Sequence, residues 1–270
     1  MAISDEIREQ RKLLKGKGIK AHIAWFWEYE RWPTILVLVA AAVVISLIYH
    51  YATYKPYAFG VMFLNAYVQE DRSDELAEEF MEYAGMDSSS SEILVDLSES
   101  VTPGGNYSSE YEMYTVQKVM VEMAANQLDA MVMDAWYFDN YAGQGAFKDL
   151  REVLDEETLE KYKDKIYYYD AALLEDDEDA LEEAAEDTDT TQEEAEAETE
   201  EAVNSELLSN FTLPDPEEME DPVPVGIWCN EASSIKENGY YDNTACILGA
   251  ISSGNHLESF QQFLEYLFEK

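Results

Sequence analysis

Between Arg31 and Lys55 lie 23 consecutive residues without Asp, Glu, Lys or Arg. Their centre, ILVLVAAAVVISLI, is almost wholly aliphatic. Such a stretch is long enough to cross a hydrocarbon layer of about 30 Å. Trp25, Trp27, Tyr29 and Trp32 precede it, and Tyr49, Tyr51, Tyr54 and Tyr57 follow it. Aromatic rings of this kind favour the two membrane interfaces. No A-x-A-like cleavage site follows the apolar run, so the span reads as a retained signal anchor. The predicted organisation is a basic cytoplasmic segment, 1–31, and a transmembrane helix, 32–54.

The charges on either side of that span set its direction. Residues 8–20 carry six basic side chains: Arg8, Arg11, Lys12, Lys15, Lys17 and Lys20. Basic flanks stay in the cytoplasm, so residues 57–270 are expected outside, on a single-pass protein of the cell membrane. For residues 5–29 two readings stay open. One is a helix lying on the inner membrane surface, interrupted at Gly16 and Gly18; the other is a frayed basic tail. From residue 57 onward there are 53 acidic and nine basic side chains. Phosphate contacts need Lys and Arg, so nucleic acid is excluded as a partner.

Beyond the span, apolar runs alternate with amphipathic ones. Strands are expected at 57–67, 92–97, 128–134 and 223–230, with another at 244–252. Helices are expected at 73–84, capped by Ser73, at 110–127 and at 256–269. In the second helix Met113, Val116, Met120 and Met123 read as core packing. Strands that are continuously apolar and alternate with helices imply a parallel-type sheet with helices on its faces. An α/β domain is therefore predicted over 57–165 and 223–270. Between these parts, 166–222 reads as an acidic low-complexity insert. Its centre, 175–202, holds 16 acidic residues and no basic one, with too little apolar surface to offset the cost of ordering. It lacks the D-x-D-x-D-G loop of a calcium site, and no metal is expected.

The stretch around the third strand carries a resemblance. Leu128 and Asp129 precede the strand 130–133; Asp134, Trp136, Gly145, Phe147, Asp149 and Leu150 follow it. With VPVGIWCN and the closing SSGNHLESFQQFLEYL, this is similar to one lobe of extracellular solute-binding proteins, the type 2 periplasmic-binding fold. The resemblance covers roughly residues 57–154 and 223–270. It departs from the family where a second lobe would lie, because the intervening chain is mostly the acidic insert. What it implies is a membrane-anchored accessory, sensory or interaction module of the bacterial cell surface, with a degenerate solute-binding-like domain. The alternative is a functional solute receptor delivering a small molecule to an ABC importer. The partners implied are the lipid bilayer, a membrane protein complex or transporter, and a weakly bound small molecule.

In a sheet of this kind ligands sit beyond the carboxyl ends of the strands. That places Asn65, Tyr67, Asp134, Trp136 and Trp228 as ligand-binding candidates. A second reading of Asp134 and Trp136 is structural: a helix cap and a packed ring. No catalytic residue is assigned, because no G-x-S-x-G elbow, P-loop, H-E-x-x-H or G-x-G-x-x-G occurs, and the chain is not expected to be an enzyme or to carry a cofactor. Cys229 and Cys246 read either as a disulfide of an exported domain or as two small core residues. External protease added to intact cells is expected to remove the outer domain and leave the anchor. Release of the intact chain by high salt alone would contradict the spanning reading.

Overall fold

The computed structural model describes residues 18–20, 23, 26–27, 31–102, 109–174 and 207–270. Most of segment 5–29 and the whole of 175–202 therefore lie outside the described residues. The chain divides into two units, one ending at Lys55 and one running from Pro56 to Lys270.

The first unit is described chiefly by α1, Arg31–Thr53, whose most apolar 18-residue window has a mean hydropathy of 2.3 and which has no buried residue. Pro33 sits in its first turn, where a missing N–H costs no helix bond. By length and composition this helix is able to cross a membrane.

The second unit is a mixed α/β fold around one six-stranded sheet, in the order β2-β1-β3-β6-β5-β4. The strands are β1 (Tyr57–Phe63), β2 (Glu92–Asp96), β3 (Ala130–Asp134), β4 (Ile166–Asp170), β5 (Pro222–Trp228) and β6 (Cys246–Ala250). β1 pairs in parallel with β2 and β3; β6 is antiparallel to β3 and to β5, and β4 is antiparallel to β5. The carboxyl ends of β1, β2, β3 and β5 thus share one edge. The expectation of parallel pairing holds for the first half of the sheet and is corrected in the second. Between β5 and β6 the only helix is α7, Ser233–Asn238, which ends in left-handed Gly239. The chain turns back at the same edge there, and no crossover is needed for an antiparallel neighbour.

β4 is also a correction, since the sequence placed residues 166–222 in the insert. Its residues IYYYD add the last strand, with Ile166 and Tyr167 buried. Asp170 then accepts from the backbone N–H groups of Ala172, Glu220 and Asp221, which ties both ends of the insert together.

Alternating strand residues feed two apolar layers. Phe59, Val61 and Phe63 of β1, Val132 of β3 and Leu248 of β6 face one layer. It is closed by α2 (Ser73–Tyr83), by α5 (Leu150–Val153), α6 (Glu156–Lys161) and α7, and by α8 (Leu257–Glu269). Phe80 of α2 and Phe263 of α8 meet edge to face at 5.0 Å, and Phe59 lies within 5.4 Å of both. Each such ring contributes roughly 1.5–3 kcal/mol by leaving water. Arg72, not Ser73, occupies the cap position of α2; Asp71 accepts from the Ser73 N–H and hydroxyl one step earlier.

Met62, Met131, Met133 and Ile247 face the opposite layer, closed by α3 (Glu110–Ala124) and α4 (Ala135–Gly143). Here Phe138 and Phe147 stack at 4.2 Å and 7°. They rest over Gly226 and Gly249, which face each other across β5 and β6. Asp129 joins the layers: its buried carboxylate accepts from the N–H groups of Gly60, Asn255 and His256 and meets His256 Nδ1 at 2.9 Å. His256 is the cap residue of α8.

A Cβ on Gly249 would lie 2.6 Å from Phe147 and 2.7 Å from Phe138. Two rings locked in a stack cannot both retreat, so Gly249→Ala is expected to cost about 1–3 kcal/mol by overpacking. Thermal melting of the single variant and of the Gly249→Ala, Phe147→Leu double variant checks this. The double variant should recover part of the loss.

Candidate functional site

The edge where β1, β2, β3 and β5 end is built from polar groups that close on one another. β1 breaks at Asn65, whose φ of 62° is left-handed, a conformation Asn tolerates better than most residues. That turn aims the amide inward. Asn65 Nδ2 donates to Asp134 Oδ2 at 2.6 Å, and Asn65 Oδ1 accepts from the Val101 N–H at 2.6 Å. The other Asp134 oxygen accepts from the Tyr137 N–H at 2.9 Å and so caps α4. Asp134 is 1% exposed.

Toward β2, Lys118 of α3 reaches Asp96 at 2.5 Å and Glu99 at 2.6 Å. Thr115 donates to the second Glu99 oxygen. Burial acts to raise the Asp96 carboxyl, but the Lys118 ammonium and the Ser98 donors outweigh it and hold the group below the ordinary carboxylate range. Burial likewise opposes the charge on Lys118, yet its two carboxylates keep its pKa above the usual lysine value.

Toward β5, Asn230 donates to the Tyr241 and Thr244 carbonyls and accepts from the Cys246 N–H. The Tyr241 hydroxyl donates to the carbonyls of Leu64 and Val132. Complete burial raises the Tyr241 phenol well above its ordinary value, so it remains a donor. The buried sulfurs of Cys229 and Cys246 lie 3.4 Å apart as free thiols. Burial, then the contact with Cys229, raises Cys246.

Of the residues expected at this edge, Asn65 and Asp134 meet directly. Trp136 is half-buried, edge-on to Tyr137 at 4.7 Å and packed on the second apolar layer. Trp228 stands apart: Lys165 Nζ lies 5.4 Å from its ring, and no hydrogen bond or ring contact joins it to Asn65, Asp134 or Trp136. Its Nε1 is buried with no partner. Lys165 in turn pairs with Glu231. Tyr67 is 66% exposed, and its N–H donates to the Tyr240 carbonyl at 2.7 Å. It lines an open cleft of about 390 Å³ with Gln69, Glu70, Arg72, Asn238 and Tyr240. Arg72 there is held by Glu75 and Asn238, both at 2.6 Å.

Glu99, Lys118, Asn230 and Tyr241 were not singled out from the sequence. The one usable signal was Lys118, the only cation of its helix. No group of three His, Cys, Asp or Glu side chains able to hold a metal occurs among the described residues. Chemically the edge presents hydrogen-bonded amides and one shielded ion-pair cluster. Replacing Lys118 by Met is expected to cost about 3 kcal/mol, since it leaves Asp96 and Glu99 facing each other without a cation. The sign follows from the lowered Asp96 group. Its contribution is present above the ordinary carboxylate pKa and is lost as pH falls through the folded value. The melting-temperature gap between Lys118→Met and the parent should therefore be widest near neutrality and narrow in acid.

No protein-family model matches the chain, and no curated protein matches it. Among solved structures, iron-bound HitA from Pseudomonas aeruginosa is similar over 77% of this chain and 80% of its own, with 14% identity and a TM-score of 0.33. The Atu4243-GABA receptor is similar over 76% of each chain, with 13% identity and a TM-score of 0.28.

Proposed function

We propose that this protein is a membrane-anchored accessory or interaction module of the cell surface, built on a solute-binding-like α/β unit that no longer serves as a tight receptor. One observation carries the reading. Apart from the indole N–H of Trp228, the buried polar side chains described at the carboxyl edge of the sheet are taken up by the chain itself. Asn65, Asp134, Asn230 and Tyr241 spend their hydrogen bonds on one another and on the backbone of 64, 101, 132, 137, 241, 244 and 246. A ligand binding there would have to displace bonds that are already buried and satisfied, which removes most of its gain. The helix, free of Asp, Glu, Lys and Arg after Arg31, and the basic segment before it support the anchor, with the amino terminus inside.

A receptor reading keeps one observation in its favour, the open cleft beside Tyr67 and Arg72. It is small and wide to solvent, so it encloses little of any ligand. In the accessory reading, no sugar, amino acid or oligopeptide binds the full chain more tightly than about micromolar, near −8 kcal/mol. Calorimetry on the detergent-solubilised protein measures this. A nanomolar ligand whose binding disappears in Trp136→Ala would establish the receptor instead.

A further inference from the structure

α3 is turned inside out. Only Glu112, Thr115 and Val119 of its 15 residues are buried. Two of those three are polar, and Lys118 beside them is spent on Asp96 and Glu99. Val116 and Met123 reach the apolar layer, whereas the other two methionines, expected in the core, do not. Met113 is 52% exposed, Tyr114 61%, Met120 55% and Val121 65%.

Gln117 and Ala124 are exposed as well. At 3.6 residues per turn these six side chains share one outward stripe. Tyr114, Gln117, Val121 and Ala124 fall at i, i+3, i+7 and i+10, the spacing of a coiled-coil seam, with Met113 and Met120 alongside. An amphipathic helix normally faces such a stripe to the core. Its capping box, Ser109 with Glu112, fixes the helix independently of anything that covers the seam.

We propose that this seam docks one helix of a partner protein, a helix with an apolar stripe flanked by Lys and Arg. Charge complementarity selects that occupant. The seam itself carries no cation, and residues 57–270 hold 53 acidic side chains against nine basic ones. A second copy of the chain would bring the same imbalance, and an anionic lipid surface is repelled for the same reason. A basic amphipathic helix gains on both counts: apolar surface leaves water at the seam, and its charge is drawn to exposed Glu110, four residues before Tyr114 on the same stripe, and to a unit whose described residues from 57 onward hold 36 acidic side chains against nine basic ones. The inference rests on the interaction-module reading and deepens it. A tight small-molecule ligand would defeat that reading, whereas the outcomes below bear only on the surface named.

The test uses the full chain in phosphatidylcholine nanodiscs. A benzoylphenylalanine photo-crosslinker replaces Val121 or, as a control on another exposed helix, Glu157. The probe is an 18-residue Leu/Lys peptide with leucines at heptad spacing; its scrambled isomer has the same charge. Cross-linking from position 121 to the heptad peptide is expected at least tenfold above that to the isomer, and tenfold above that from position 157. The Tyr114→Ser, Met120→Ser variant should lose the adduct at an unchanged melting temperature. Equal yields for the two peptides, an adduct that survives in the variant, or cross-links from 121 to a second copy or to the nanodisc lipid would each overturn the proposal.

Discussion

The outer unit hangs on a carboxylate that is nearly sealed from water. Asp129 is 4% exposed, and a bare charge at that depth would cost several kcal/mol. It is tolerated because three backbone N–H groups and a histidine ring converge on it. Those donors come from β1 and from the start of α8, while the Asp129 backbone itself bonds Gly60 and Ile251. One residue therefore sets the registry of β1 against β3, the exit of β6 and the entry of the last helix. The close approach has a steric side too. A Cβ at Gly60 would strike the Gln127 carbonyl at 1.9 Å, so the two strands meet at a point where no side chain fits. With that junction fixed, Phe263 lands on Phe59 and Phe80, and the first apolar layer follows.

The same economy of buried polar groups shapes the opposite edge. There the amides and hydroxyls do not wait for a guest. Asn65 holds the loop at Val101, Asp134 caps its own helix, and Tyr241 stitches the ends of β1 and β3. Each bond is modest, about 1 kcal/mol net, but leaving any of these groups without its partner would cost more than the bond contributes. Such an edge resists opening, and rigidity of that kind suits a surface that presents contacts better than one that closes around a solute.

Much of this was legible in the sequence, and the reason is burial. β1, β2, β3, β5 and β6 are short apolar runs bounded by polar residues, and they read as strands without further help. Their directions did not. A strand buried on both faces has no alternation to mark its neighbours, so antiparallel β5 and β6 look the same as parallel ones. β4 escaped notice because IYYYD is aromatic rather than aliphatic and lies beside the acidic insert. Asp134 as a cap could be read from its place before a helix, while Asp71 and Arg72 displaced the expected Ser73. The meeting of Asn65 and Asp134 followed from strand ends sharing an edge. Asn230, Tyr241 and Glu99 could not be foreseen, since they are single polar residues in loops, with no spacing to connect them.

The two helices of the second layer are fastened by different forces. α4 sits on stacked rings and methionines, an attachment that weakens on cooling as apolar hydration becomes cheaper. α3 is latched largely by an ammonium between two carboxylates, and the desolvation cost of ions falls as temperature rises. Cooling therefore loosens the stack and the latch alike, whereas added salt screens the partly buried latch only weakly. With only three of its 15 residues buried, α3 is expected to exchange its amide hydrogens sooner than the strands of the sheet beneath it.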